Sequence, residues 1–227
     1  MLSLIPTILV VNRMAGGILM SLTFPELRRA MLKAMRLSVV SRRSFLLVVL
    51  LCVLRWTAAG AQVAAAPPAT IYLVRHAEKL TDKRPDLAQQ GFLRAALLPN
   101  LFLQTDGLVA LPKPEFIFAT ARSKNSNRPF ETVMPLSSAL NVPISNDVLN
   151  ENFVDLAKLL LSGQFAGKVV LVSWHHGTLS QFVEALGATA PYVWPETQFD
   201  RIWRIDYPGG RAKVTDLPQR LLPGDSK

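Results

Sequence analysis

The chain has 227 residues, of which 50% are hydrophobic and 18% are charged, with one cysteine and a formal net charge of +9. This composition excludes an intrinsically disordered chain and a disulfide-stabilised scaffold, and the length is sufficient for one domain with a substantial core. Because +7 of the net charge lies before Gln62, the basic character of the chain gives no reason to expect a nucleic-acid partner.

The first quarter of the chain has the organisation of an export signal. Basic residues precede an unbroken apolar run at 45–54, and small residues follow it up to Ala61. A run of this length is too short to cross a bilayer, which needs about 20 residues. We therefore expect an N-terminal extension and signal peptide over residues 1–61, with cleavage after Ala61 and a periplasmic or secreted product. The alternative is an uncleaved membrane anchor.

Two adjacent arginines, Arg42 and Arg43, stand just before the apolar run. The pair is typical of the twin-arginine export motif, but an ordinary secretory signal also accommodates it, so both export routes stay open. A second apolar stretch precedes this signal, and we expect translation to begin at Met31 or Met35. An Ala/Pro-rich linker is predicted over residues 62–70.

Strand and helix patterns alternate through the predicted domain at residues 71–227. Short apolar or β-rich runs predict strands at 71–75, 115–119 and 169–174. Helical spacing of apolar residues predicts helices at 86–102, 129–140, 152–161 and 178–186. The runs 202–206 and 211–215 predict a terminal hairpin. This order predicts an α/β fold, a three-layer α/β/α sandwich with a mostly parallel central sheet.

All three histidines of the chain follow predicted strands, where sheets of this kind bind their ligands. His76 follows the first strand, and His175 and His176 follow the strand at 169–174. Arg75 stands next to His76. A guanidinium group matches phosphoryl oxygens in a bidentate way, and a neutral imidazole is a nucleophile that needs no metal. The pattern therefore points to phosphoryl transfer.

Residues 73–78, with the sequence LVRHAE, resemble the Arg-His signature that opens the histidine phosphatase superfamily. That family includes cofactor-dependent phosphoglycerate mutases and phosphohistidine phosphatases. Three further segments resemble family motifs in the family's order, at 86–95, 126–132 and 170–179. The resemblance implies the fold of that family and a metal-independent phosphatase that hydrolyses a phosphomonoester or a phosphohistidine.

The resemblance also implies a role for each matching residue. His76 would be the nucleophile that becomes phosphohistidine, and Arg75 and Arg128 would clamp the phosphoryl oxygens. One of His175 and His176 would donate to the phosphoryl oxygens in the transition state. For Arg128, the alternative is a solvated arginine before a helix, but Pro129 after it is typical of a first helical turn, which places Arg128 at the positive helix end.

Two patterns disagree about the histidine pair. The general spacing of the superfamily, a histidine followed after three residues by an apolar residue, fits His175 with Leu179. A Trp-x-His ending, found in some members, fits Trp174 with His176 instead. Residues of alternate parity face opposite sides of a strand, so only one of the two is expected to enter the pocket. We favour His176.

The general acid is the least determined of the predicted roles. Glu151 lies between the second arginine motif and the second histidine motif, in the region where many members carry a carboxylic acid. Asn150-Glu151 is equally typical of a helix N-cap followed by a first-turn acid, and this is the interpretation that we favour. Glu78 is also near the predicted pocket, where a salt bridge at the rim explains it as well.

We expect no metal site and no cofactor, because adjacent histidines on one strand point to opposite faces and the predicted domain contains no cysteine. The expected partner is a small phosphorylated substrate, and a membrane is involved only through the export signal. Two alternatives to a phosphatase stay open. One is a mutase-like phosphotransferase, and the other is a protein that binds a phosphorylated ligand without turnover.

Overall fold

The computed structural model describes residues 65–82, 84–103 and 110–226. The predicted signal peptide, its cleavage site and the twin-arginine pair lie outside the described residues. The first strand begins at Thr70, whose side chain is buried, one residue earlier than predicted. No helix in the described part of the chain is both long and apolar enough to cross a membrane.

Six strands and five helices alternate along the described chain. The strands are β1 Thr70–Arg75, β2 Phe116–Ala119, β3 Ile144–Ser145, β4 Val169–Trp174, β5 Arg201–Asp206 and β6 Lys213–Pro218. The helices are α1 Gln89–Leu97, α2 Asn100–Leu103, α3 Arg128–Leu140, α4 Phe153–Leu160 and α5 His176–Ala185. Two short 3-10 turns cover Asn150–Asn152 and Pro208–Gly210.

The six strands form one sheet in the order β3-β2-β4-β1-β5-β6. The first four strands in this order are parallel, and β5 and β6 are antiparallel to their neighbours. The sheet is thus mostly parallel, as predicted. In the register of β1 and β4, Arg75 lies opposite Trp174, so both strands end at the same edge of the sheet.

Helices cover both faces of the sheet, and the alternation of side chains along β1 explains how. Ile71 and Leu73 face one apolar cluster, which is completed by buried residues of α4 and α5. Tyr72 and Val74 face the other cluster, which is completed by residues of α2 and α3. Because β1 is buried on both faces, all six of its residues are buried, which is the pattern of a central parallel strand. The three-layer α/β/α prediction is confirmed.

Two predicted helices differ from the structure, and one strand was not predicted. The helix predicted at 86–102 is two helices, since Pro99 lacks the N–H that would continue α1 into α2. The two-residue strand β3 carries no periodic pattern long enough to be recognised. The helix predicted from 178 starts at His176, two residues earlier.

The terminal hairpin is confirmed, with β5 and β6 paired antiparallel from Arg201 opposite Pro218 to Asp206 opposite Lys213. The turn between these strands contains Gly209 and Gly210 at φ 60° and 79°. Both angles lie in the left-handed region that glycine adopts without strain, which explains the two consecutive glycines.

Candidate active site

The register of the sheet brings the first and second histidine motifs together. Arg75 pairs with Trp174 across β1 and β4, so the next residues, His76 and His175, emerge side by side. The backbone N–H of His76 donates to the carbonyl of Trp174 at 3.0 Å, which extends the ladder by one bond. The two imidazole rings meet edge to face, with centroids 5.2 Å apart. This pair lies beyond the carboxyl ends of the strands, where the sequence predicts the site.

His76 is oriented for attack by its Nε2 atom. Its Nδ1 lies 2.7 Å from the carbonyl oxygen of Ala77, and because a carbonyl only accepts, Nδ1 carries the proton and Nε2 has a free lone pair. The side chain is 2% exposed. Burial, opposed by the Ala77 bond and reinforced by the charges of Arg75 and Arg128, holds the pKa of His76 well below its usual range. The imidazole is therefore neutral at physiological pH.

Arg75 is a buried cation whose guanidinium is only partly hydrogen-bonded. Its Nη1 donates to the carbonyls of Pro195, Glu196 and Gln198 in the loop between α5 and β5. Its guanidinium carbon lies 3.8 Å from the ring centre of Phe199. Nε and Nη2 are buried without a partner among the described residues. Buried donors of a cation need an acceptor, and an oxyanion is the group that fits them.

Burial lowers the pKa of Arg75 to about 10, and the nearby charge of Arg128 acts in the same direction. The group remains charged at neutral pH, so it offers a full positive charge beside the neutral imidazole of His76. Glu196 and Glu78 oppose the shift. An anion that binds here would be held by charge-assisted hydrogen bonds, which are the strong ones.

Arg128 is the first residue of α3, and Pro129 occupies the first turn, as predicted. Its Nη1 donates to the backbone carbonyls of Arg84 and Pro85 at 3.1 and 3.2 Å, and its Nε is buried without a partner among the described residues. Burial lowers its pKa. The loop at 84–85 therefore fixes one edge of this guanidinium as the loop at 195–198 fixes that of Arg75. The guanidinium of Arg128 is thus held in place by backbone carbonyls and is not a freely solvated surface group.

The structure places His175, and not His176, against the nucleophile candidate. His175 contacts His76, its Nε2 lies 3.4 Å from the hydroxyl of Thr120 at the end of β2, and burial lowers its pKa to about 4. The preference for His176 treated both histidines as part of one strand, and this premise is wrong because the strand ends at Trp174. His175 is the extended N-cap of α5 and His176 is already helical.

His176 lies near Arg75, and its Nδ1 is buried without a partner among the described residues. Its pKa is lowered by burial first, then by the charges of Arg75 and Lys79, and is raised by that of Glu196. Lys79 and Glu196 form an exposed ion pair at 2.8 Å. His176 is therefore close both to Arg75 and to this ion pair.

Glu151 is exposed and makes no hydrogen bond or ion pair with another described residue. The favoured interpretation is correct for Glu151, which lies in the first turn of the 3-10 helix, and wrong for Asn150, because the N-cap is Leu149 and neither this turn nor α4 has a side-chain cap. Asn150 instead accepts a hydrogen bond from the hydroxyl of Thr178 at 3.0 Å. Since Thr178 lies in the first turn of α5, this bond holds the 3-10 turn that contains Glu151 beside the start of that helix.

Glu78 belongs to a buried ion cluster rather than to a salt bridge at the rim. Arg94 of α1, which is 4% exposed, pairs with Glu78 at 2.7 Å and with Asp225 at 2.8 Å. The cluster ties the loop after His76 to α1 and to the C-terminal segment. Gly91 of α1 also lies against the backbone of Glu78, because a Cβ at this position would be 2.3 Å from the carbonyl oxygen of Glu78.

Several site residues were not predicted from the sequence. The carbonyls that hold Arg75 come from a loop between α5 and β5, and any residue type offers such a carbonyl. Thr120 and Thr132 contact the histidine motifs from other elements. Thr120 could have been found from its place directly after β2, and Thr132 from its place in the segment at 126–132 that resembles a family motif. Among the described residues, no three His, Cys, Asp or Glu side chains are grouped to hold a metal ion.

No protein-family model matches the sequence, and none of the curated proteins is significantly similar to it. Solved structures do match. The protein histidine phosphatase SixA, solved with tungstate, is 17% identical, with 66% of this chain and 97% of that chain covered and a TM-score of 0.46.

Phosphoserine phosphatase from Entamoeba histolytica, in complex with 3-phosphoglyceric acid, is 16% identical over 67% of this chain and 99% of that chain, at a TM-score of 0.44. Phosphoglycerate mutase from Bacillus anthracis is 13% identical over 68% and 94%, at a TM-score of 0.42. These three similarities are to a protein histidine phosphatase, a phosphoserine phosphatase and a phosphoglycerate mutase, each at less than 20% identity.

Proposed function

We propose that this chain is a histidine phosphatase that hydrolyses a small phosphomonoester through a phosphohistidine on His76. One observation carries the proposal. A buried neutral imidazole has its Nδ1 proton engaged by a backbone carbonyl, and it stands beside two buried, unpartnered donors of Arg75. This combination provides a nucleophilic lone pair and hydrogen-bond donors for an oxyanion within one site. The sequence motifs that resemble the superfamily support the same conclusion.

In the first step, the Nε2 lone pair of His76 attacks phosphorus. The N–P bond forms as the bond between phosphorus and the leaving oxygen breaks, and the leaving oxygen takes a proton. Arg75 and Arg128 hold the non-bridging oxygens and offset their negative charge. In the second step, water attacks the phosphohistidine, the N–P bond breaks, and inorganic phosphate leaves as Nε2 regains its lone pair.

We assign the transition-state donor to His175, since this ring contacts His76 and lies at the shared edge of β1, β2 and β4. A donor aimed at the phosphoryl oxygens acts when negative charge spreads over them. His175 must carry a proton on one ring nitrogen for this role, and the neutral imidazole has one. His176 is not assigned this role and lies close to Arg75, Lys79 and Glu196.

We assign the leaving-group proton to Glu151. Its side chain is exposed and free of partners among the described residues, and the Asn150–Thr178 bond keeps its turn next to the start of α5. A carboxylic acid at this edge would protonate the leaving oxygen in the first step and, as a carboxylate, accept a proton from water in the second.

The test is turnover of para-nitrophenyl phosphate and of a panel of phosphorylated metabolites by the purified domain, with a chelator present. We expect turnover, and acid-labile phosphate trapped on the protein in rapid-quench experiments. The variant His76→Ala should lose turnover and the trapped phosphate but retain phosphate binding in a thermal-shift assay, since the arginines supply most of the anion affinity. Lys158→Ala, an exposed change on α4, is the matched control.

Retention of more than a few per cent of the wild-type rate by His76→Ala would remove His76 as the nucleophile. Phosphate binding with no turnover of any substrate would instead identify a binding protein. Transfer of the phosphoryl group between positions of one substrate, faster than its release to water, would identify a mutase.

We further propose that the chain is exported and that the mature protein begins at Gln62. The support is the sequence pattern, in which small residues at 59 and 61 follow a short apolar run. Intact mass of protein recovered from the periplasmic fraction tests this proposal. A full-length species retained in the membrane would contradict cleavage and favour the anchor.

A further inference from the structure

A short chain of buried hydrogen bonds connects α3 to the nucleophile loop. The hydroxyl of Thr132 donates to the carbonyl of Arg128, one turn earlier in α3, at 2.8 Å. The same hydroxyl oxygen accepts from the backbone N–H of Ala77 at 2.9 Å. The carbonyl of Ala77 in turn accepts from Nδ1 of His76 at 2.7 Å. Thr132 is 3% exposed and His76 is 2% exposed, so water does not readily replace these bonds.

The direction of each bond in this chain is determined. A hydroxyl has one proton, and Thr132 gives it to the carbonyl of Arg128, so only its lone pairs face Ala77. The backbone N–H of Ala77 has no choice but to donate. Thr132 therefore holds the backbone of Ala77, and the next carbonyl along that backbone is the one that selects the Nδ1-protonated form of His76.

We propose that Thr132 is a positioning residue that, through the backbone of Ala77, keeps the imidazole of His76 in the tautomer and orientation that leave Nε2 free to attack phosphorus. The tautomer matters because the other form would place the proton on the attacking nitrogen. This proposal rests on the proposed function, but its central claim concerns the state of one imidazole and is measurable without any substrate.

The direct measurement is nitrogen-15 NMR of protein labelled at histidine. The chain has only three histidines, and the variant His76→Ala assigns the signal of His76. In the wild type we expect His76 to be protonated at Nδ1 and not at Nε2. In Thr132→Val, which keeps the shape of the side chain and removes the hydroxyl, we expect a mixture of the two tautomers. Thr132→Ser, which keeps the hydroxyl, should restore the wild-type form.

Kinetics give a second measurement. We expect Thr132→Val to lower kcat by about 10- to 100-fold, as supporting interactions of this kind do, and to change phosphate affinity less than about threefold. Because the bond from Ala77 raises the pKa of His76, its loss should also move the acidic limb of the kcat/KM profile to lower pH. A loss of folded protein alone would lower the rate without moving this limb.

The matched control is Ser137→Ala, which removes a hydroxyl on the same helix that donates to Val142. It should leave both the tautomer of His76 and the pH profile unchanged. If Thr132→Val does not fold, Thr132→Ala is measured in its place. A wild-type His76 protonated at Nε2, an unchanged tautomer in the folded variant, or a disturbed tautomer in Thr132→Ser would each overturn the proposal. Absence of phosphatase activity with the expected tautomers would instead refute only the proposed function.

Discussion

Gly91 offers a sharp test of the contact between α1 and the loop that follows His76. An added Cβ would lie 2.3, 3.0 and 3.2 Å from the carbonyl oxygen, nitrogen and carbonyl carbon of Glu78. All three are backbone atoms, so no side-chain rotation relieves the overlap. The helix and the loop must separate by roughly 1 Å in Gly91→Ala to restore ordinary van der Waals contact.

Two effects of Gly91→Ala oppose each other. Alanine stabilises a helix by about 1 kcal/mol relative to glycine, whereas overpacking a buried contact costs about 1–3 kcal/mol. We expect the steric cost to exceed the helical gain, because the added Cβ overlaps with backbone atoms of Glu78, which cannot move aside as a side chain can. The net loss in the free energy of unfolding should be about 1–2 kcal/mol, which lowers Tm by roughly 2–8 °C in a domain of this size. The displaced loop should also lower kcat at least tenfold, since an error of about 1 Å in a reacting group costs up to about 100-fold.

Denaturant titration followed by circular dichroism measures the stability, and steady-state turnover measures the rate. Gly177→Ala is the matched control for stability, because Gly177 is also in the first turn of a helix and a Cβ there meets nothing within 4 Å. We expect this control to be as stable as the wild type or slightly more so. If Gly91→Ala shows an unchanged denaturant midpoint and full turnover, the close approach of α1 to Glu78 does not position the site.

Three further predictions concern the site itself. His175→Ala should lower kcat about a hundredfold or more and His176→Ala less than about tenfold, and the reverse order in steady-state assays would return the donor role to His176. Glu151→Gln should slow the hydrolysis of an alkyl phosphate about a hundredfold but that of para-nitrophenyl phosphate less than about tenfold, because nitrophenolate leaves without a proton. Equal effects on the two substrates would exclude Glu151 as the general acid. Burial lowers the pKa of His175 from 6.5 to about 4, so between these pH values the unfolded chain binds a proton that the folded chain does not. The free energy of unfolding should therefore fall as the pH decreases from 6.5 to 4, by on the order of 3 kcal/mol from this group. Denaturant titrations across that range should show a shallower fall in His175→Gln, and identical slopes would contradict the burial of a neutral His175.

The sequence by itself determined the layout of the domain. Apolar runs and helical spacing carry β1, β4 and most helices because these patterns are local and follow the periods of strand and helix. The same patterns place the histidines and Arg75 at strand ends, and parallel strands bring their carboxyl ends to one edge of the sheet. Pro129 marks the start of α3 since proline is suited to a first helical turn. The nucleophile and arginine candidates were therefore accessible without coordinates.

The choice between His175 and His176 required the tertiary structure. It depends on where β4 ends, and a strand and the helix that follows it both accept the residues at 175 and 176. The strand stops at Trp174, His175 keeps an extended backbone and its ring faces His76, whereas His176 already belongs to the helix. A boundary shift of one or two residues is within the usual uncertainty of element ends, yet here it exchanges the two histidines.

The supports of the site were decided only by tertiary contacts. Arg75 is held by backbone carbonyls about 120 residues further along the chain, and every residue type offers a carbonyl, so no pattern of side chains indicates them. Thr132 reaches Ala77 across 55 residues, and Arg94 reaches Asp225 across 131. Such contacts depend on how the layers pack, whereas periodicity reports only which face of each element is apolar. The reactive residues can thus be recognised from the local sequence, whereas their orientation and their charge state depend on contacts with distant parts of the chain.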